Sequence, residues 1–157
     1  MLIKKILCPI DLFADTRTEI AYAVSFAQEN KAELGFLYVM CFSARGPASS
    51  AEPDPFFYGL LGPRFSINDL CKKTISRIEN LVLANFGREV RGLSWKVVIS
   101  LGNIAREVVS VAVGEKADLI IMARRRRSIL GRLLTRRISE AVSDRAPCPV
   151  LPIHTEG

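Results

Sequence analysis

Apolar positions along the chain switch repeatedly between two spacings. Short, nearly continuous aliphatic and β-branched runs stand at Ile3–Ile10, Glu33–Met40, Trp95–Leu101, Asp118–Ala123 and Pro149–Ile153. Continuous runs of this length suit strands buried on both faces. Between them, apolar residues return at helical intervals: Ile20, Ala23, Val24 and Ala27; Ile75, Ile78 and Val82; Ile104, Val108, Val111 and Ala112; Ile138, Ala141 and Val142. Such stripes mark amphipathic helices. The alternation predicts parallel βαβ units joined by right-handed crossovers, hence a three-layer α/β sandwich of five strands and four helices. Residues 1–157 read as a single domain without internal repeats.

Punctuation supports the same division. Asp15 and Thr16 offer caps to the first helix, and Thr16 with Glu19 has the spacing of a capping box. Gly87 is placed to stop the long helix Ile67–Phe86. Gly102 closes the third strand, Asn103 caps the helix after it, and that helix ends near Gly114. The last helix must stop before Pro147. Residues 41–66 break the pattern: Ser, Pro and Gly surround Phe56-Phe57-Tyr58, a long excursion. Its aromatics suit a lid or a partner contact, although rings folded back on the following helix are the simpler reading.

Charge changes the picture at one place. The chain carries 22 Lys and Arg against 16 Asp and Glu. Arg124, Arg125, Arg126, Arg127, Arg132, Arg136 and Arg137 concentrate the basic excess, and the first of them follow directly on the strand ending at Met122 and Ala123. In an open parallel sheet, ligands bind just beyond the carboxyl ends of the strands, where strand order reverses. The cluster is therefore expected to contact an anion, against the alternative of a solvated charged loop.

Other chemistry finds little support. His154 is the sole histidine and lies near the chain end, and no Ser or Cys is tied to it by motif. Cys8, Cys41, Cys71 and Cys148 show no CxxC spacing, and Cys148 sits between Pro147 and Pro149. No paired carboxylates or metal-ligand spacing appear, so the expectation is a protein that is not an enzyme and holds no metal. Lys4-Lys5 leads only to Ile6-Leu7-Cys8 before Pro9, too short for a secretory core, and no run is long enough to cross a bilayer. A cytoplasmic protein with reduced thiols is expected. Nonspecific nucleic-acid binding through the arginines stays as an alternative, although no aromatics interleave with them and no reader motif is present.

The stretches Lys5-Ile-Leu-Cys-Pro-Ile-Asp11, Gly102, Ala117-Asp-Leu-Ile-Ile-Met122 and Ala146-Pro-Cys-Pro-Val150 together resemble the universal stress protein family over essentially the whole chain. The resemblance implies a five-stranded parallel sheet in the order 3-2-1-4-5, an adenine-nucleotide alpha-hydrolase-like fold, and a homodimer joined through the last strand, Pro149–Ile153. It also implies that Asp11 faces a nucleoside, that Val39 lines an adenine pocket, and that Gly102, Met122 and Ala123 border the same site. Many members bind ATP through a glycine loop after strand four. The corresponding glycine positions here are Ala123, Arg126 and Arg136, and the hydroxyl position is Arg137; Gly131 is out of register. The chain thus resembles a branch without that loop: a stress-response regulatory module with no cofactor, whose arginines, Arg126 and Arg127 foremost, hold a phosphate-bearing ligand or an acidic partner. ATP gripped by arginines instead of glycines is the alternative.

Overall fold

The central strand of the sheet is β1 (Lys5–Pro9), followed by α1 (Arg17–Asn30) and β2 (Glu33–Met40). Then come α2 (Ile67–Phe86), β3 (Trp95–Leu101), α3 (Ile104–Glu115), β4 (Leu119–Arg125), α4 (Arg136–Arg145) and β5 (Val150–Thr155). The computed structural model describes residues 2–12, 14–40, 66–125 and 136–155, with the side chains of Arg125 and Arg136 outside that description. The excursion at 41–65, the Phe56-Phe57-Tyr58 group, and Arg126, Arg127, Gly131 and Arg132 lie outside the described residues.

The strands pair in parallel in the order β3-β2-β1-β4-β5, as the resemblance implies. Helix α1 meets α2, and α3 meets α4, so the helices form two layers that sandwich the sheet. Burial on both faces explains the unbroken apolar runs: seven of the eight β2 residues are buried. Phe36 meets the Trp95 ring edge-to-face at 5.9 Å, joining β2 to the outer strand β3. Ile20, Ala23, Val24 and Ala27 of α1 are all buried, as their spacing predicts. On α2 the buried face is Leu70, Thr74, Ile78 and Val82, and Ile75 is only half-buried. Thr74 fits this face because its hydroxyl donates to the Leu70 carbonyl at 2.7 Å.

Several helix ends depart from expectation. Thr16 stands at the N-cap of α1, but its hydroxyl caps nothing and no capping box forms. Its φ of −98° and ψ of 3° lie outside the extended conformation that aims a cap oxygen at the first turn. Asp15 binds Arg17 instead, accepting from its main-chain N–H at 3.0 Å and from its guanidinium at 2.9 and 2.7 Å. Ser66 and Asn103 do cap, accepting from Asp69 and Arg106 N–H groups, each at 3.1 Å.

Gly87 follows the last residue of α2, where the sequence places the stop, but it is right-handed (φ −56°); the left-handed glycine of the following turn is Gly92 (φ 81°). Gly114 lies within α3, and left-handed Lys116 closes it as Lys31 closes α1 (φ 55° and 52°). A left-handed lysine costs roughly 1–2 kcal/mol. The penalty is offset where each turn feeds straight into a strand: Ala32 and Ala117 donate back to Ala27 and Ala112, both at 2.9 Å.

Strand β4 starts one residue later than its apolar run, because the Asp118 carboxylate accepts from the Lys4 and Lys5 N–H groups at 2.9 and 3.0 Å. It also runs two residues further, since β5 continues beside it and pairs His154 with Arg124 and Thr155 with Arg125.

Candidate functional site at the carboxyl ends of the strands

Strand pairing itself opens the site. Strand β1 pairs with β2 at five positions, and β4 pairs with β5 at six. Between β1 and β4 the register covers only Ile6↔Leu119 and Leu7↔Ile120, although both strands continue. The two central strands therefore separate toward their carboxyl ends, at the point where strand order reverses. This is the crevice in which open α/β sheets bind ligands.

The walls carry most of the residues singled out from sequence. Ile10 N–H still bonds the Leu37 carbonyl at 2.8 Å, so the chain past β1 keeps running beside β2. Extending the Pro9↔Leu37 register brings Asp11 level with Val39. Asp11 is a buried carboxyl group, 2% exposed, and Val39 beside it is buried too. Burying a carboxyl group is costly unless it is engaged.

Gly102 follows β3, and its N–H donates to the Met40 carbonyl at 3.0 Å. Its φ of 138° is open only to glycine without strain, and an added Cβ would sit 3.2 Å from Glu107 Oε1. Gly102→Ala is expected to destabilise the fold by about 1–3 kcal/mol. Calorimetry checks this: a melting temperature lower by several degrees is expected, and an unchanged one would mean that the rim is not rigid.

The opposite wall is the end of β4. Met122 and Ala123 are fully buried. Arg124 is partly buried, and its guanidinium donates to Glu140 of α4 at 3.0 Å. The first arginine of the run is thus held on the α3–α4 side of the sheet. Arg136 opens α4, and Arg137 beside it is exposed. The structure brings Asp11, Val39, Gly102 and the end of β4 to one edge of the sheet, while Arg126 and Arg127 fall outside the described residues.

Sequence reasoning missed three groups here. Ser100 donates to Glu107 Oε2 at 2.5 Å, and the Glu107 side chain backs Gly102. Glu140 is the third, as the partner of Arg124. Ser100 and Glu107 flank the Gly102-Asn103 cap, a signal that could have drawn attention to them; nothing local points from Glu140 to Arg124.

Among the described residues, the thiol in β1 is unsuited to nucleophilic work. Cys8 is fully buried, and burial first, then the charge of Glu19, pushes its ionisation well above the ordinary thiol value. Burial also raises Cys148, aided by Asp118. The sign for Cys8 follows from proton binding: above about pH 8.5 the unfolded thiol ionises while the folded one stays protonated. Stability should therefore fall as pH rises from there, by up to about 1.4 kcal/mol per unit from this group. A Cys8→Ala variant should show a shallower alkaline decline in denaturant titrations; an identical slope would contradict the assignment.

The family model for the universal stress protein family matches residues 2–154. The chain belongs to the universal stress protein family. A universal stress protein encoded in the QAH/OAS sulfhydrylase 3′ region of Thermus aquaticus is 30% identical over 148 residues, 94% of this chain and 96% of that relative. The universal stress protein UspA from Lactobacillus plantarum aligns with a TM-score of 0.67 and 22% identity, over 98% of this chain and 99% of that one. The universal stress protein from Archaeoglobus fulgidus in complex with dAMP aligns with a TM-score of 0.60 and 14% identity, over 98% and 99% of the two chains. These structures share the family fold with this chain. Among its described residues, no helix is long and apolar enough to cross a membrane.

Proposed function

We propose that this universal stress protein is a non-catalytic regulatory module whose crevice binds a phosphate-bearing ligand of the adenine-nucleotide class. The observation that carries the reading is the early separation of β1 and β4, which puts buried Asp11 on one wall and the arginine-bearing end of β4 on the other. The carboxylate side suits a nucleoside's hydroxyl or amino donors. The cationic side suits phosphate, because a guanidinium fork binds phosphate through paired, charge-assisted hydrogen bonds.

The main-chain cradle used by glycine loops is not what this sequence provides. Ala123, Arg126, Arg136 and Arg137 occupy the glycine and hydroxyl positions, so the triphosphate geometry of those loops is disfavoured. A single phosphate asks for fewer donors, and a family relative is described in complex with dAMP. A deeply buried, hard-to-ionise Cys8 further supports a role without covalent catalysis.

The same reading includes a homodimer joined through β5. This strand pairs with β4 alone among the described strands, and its Val150, Leu151 and Pro152 are only half-buried. A second copy would cover that edge. Sedimentation at micromolar concentration checks the dimer, and a monomeric mass contradicts it.

Isothermal titration with AMP and with adenosine tests the ligand assignment. AMP should bind at least tenfold more tightly than adenosine, the difference expected from one or two charge-assisted phosphate contacts. Equal affinities, or no binding of AMP, would remove the phosphate from the account.

A further inference from the structure

At the opposite end of the sheet, the amino ends of the strands border an open groove of about 820 Å³. Three separate segments build it: the residues before β1 with Lys4, the passage from the end of α1 into β2 with Gln28, Lys31 and Glu33, and the turn before β3 with Arg91 and Gly92. The walls are fastened together. Gln28 Nε2 donates to the Glu89 carbonyl at 2.5 Å, and Glu33 N–H donates to the Lys4 carbonyl at 2.8 Å. A Cβ added at Gly92 would meet no described atom within 4 Å, and the left-handed turn there (φ 81°) shapes one rim.

The charge balance in this groove is one-sided. Lys4, Lys31 and Arg91 form no ion pair among the described residues. The single acidic side chain of the lining, Glu33, lies 3.5 Å from Lys96, a residue outside the groove. Asp118, whose carboxylate accepts from the main-chain N–H groups of Lys4 and Lys5, is not part of the groove's lining. Three cations without an ion pair among the described residues thus come from three segments to one concavity that holds a single acidic side chain. Its volume falls in the range of about 300–1,000 Å³ typical of small-molecule sites. Convergent like charge focuses a positive field there and attracts polyanions.

A second basic hollow helps to weigh this. Lys72, Lys73, Ser76, Arg77 and Asn80 line a shallower depression on α2. All five come from one helix surface, the ordinary arrangement of a solvated charged face. The groove at the strands' amino ends differs in being assembled from distant parts of the chain and held by main-chain bonds.

We propose that this groove is a second anion site, which takes a small molecule carrying two or more linked phosphates. Lys4, Lys31 and Arg91 would each reach a different part of the phosphate chain, and the crevice around Asp11 is not involved.

Inorganic tripolyphosphate is the probe. In titrations followed by amide resonances, Lys31, Gly92 and Ser94 should shift saturably, on a binding curve separate from that of any shifts at Gly102 and Ala123. The double variant Lys31→Ala/Arg91→Ala should weaken binding by about tenfold or more, as loss of two charge-assisted contacts requires. Lys72→Ala/Lys73→Ala removes equal charge elsewhere and should leave affinity within about twofold, because distant exposed charges are screened. A parallel arm with ATP identifies the source. Affinity equal to that of tripolyphosphate means that the phosphate chain alone is read, and tighter binding at the same amides means that the nucleotide is. Non-saturating shifts, shifts confined to Gly102 and Ala123, or equal weakening by both double variants would overturn the proposal. Because the two sites lie at opposite ends of the sheet, the positions of the shifts separate a failure here from a failure of the crevice reading.

Discussion

Asp11→Asn should lower the affinity for AMP by about 10- to 100-fold while leaving the melting temperature within a few degrees. Hydrogen bonds to a charged group contribute roughly 1.5–3 kcal/mol, which is one to two decades in a dissociation constant. Asparagine keeps the size and one acceptor oxygen of aspartate but loses the charge. Asp11 is 2% exposed and stands level with Val39 on the wall of the crevice. A buried carboxylate there strengthens donors from a bound nucleoside because water competes little. Titration calorimetry and a thermal melt on the same preparation read both quantities. Wild-type affinity in the variant would remove Asp11 from the site. A collapse of the melting temperature would instead assign Asp11 to the fold.

Phe36→Ala should cost about 3–5 kcal/mol of stability, the range for deleting a buried aromatic ring. Phe36 is completely buried, pairs in register with Cys8 and Val97, and meets Trp95 edge-to-face. The ring joins β2 to the outer strand β3, so its loss leaves a void that the sheet cannot easily close. Trp95 is the chain's one tryptophan, and its fluorescence reports the transition in denaturant. A midpoint shift worth less than about 1 kcal/mol would show that β3 is held independently of this contact.

Much of this architecture could be read from local pattern. Strands β2 and β3 and helix α2 have the bounds their apolar runs suggest: β2 is buried on both faces, the outer strand β3 is half-buried over most of its length, and α2 buries one face at Leu70, Thr74, Ile78 and Val82. Departures arise where distant pairing decides. The end of β4 depends on how far β5 runs beside it, and its start depends on the Asp118 carboxylate engaging β1. Left-handed lysines at positions 31 and 116 escape a rule that looks for glycine, since the requirement comes from the turn into the next strand. At Thr16 the sequence has the spacing of a capping box, but the local backbone angles do not present the hydroxyl.

The candidate site was legible in its residues more than in its shape. Asp11, Val39, Gly102 and the β4 arginines were accessible from motif and position. That β1 and β4 separate after two paired positions is a property of the sheet and leaves no mark in either strand's sequence. The tie between Arg124 and Glu140 spans 16 residues and joins a strand end to a helix, so no helical or strand spacing announces it.

The central claim is that side-chain cations, not a main-chain cradle, meet the phosphate in this crevice. A crystal structure of the chain soaked with ATP tests it most directly. The nucleoside should lie against Asp11, with phosphate oxygens contacted by arginine guanidinium groups. Phosphates nested on consecutive main-chain N–H groups between Ala123 and Arg137 would contradict it.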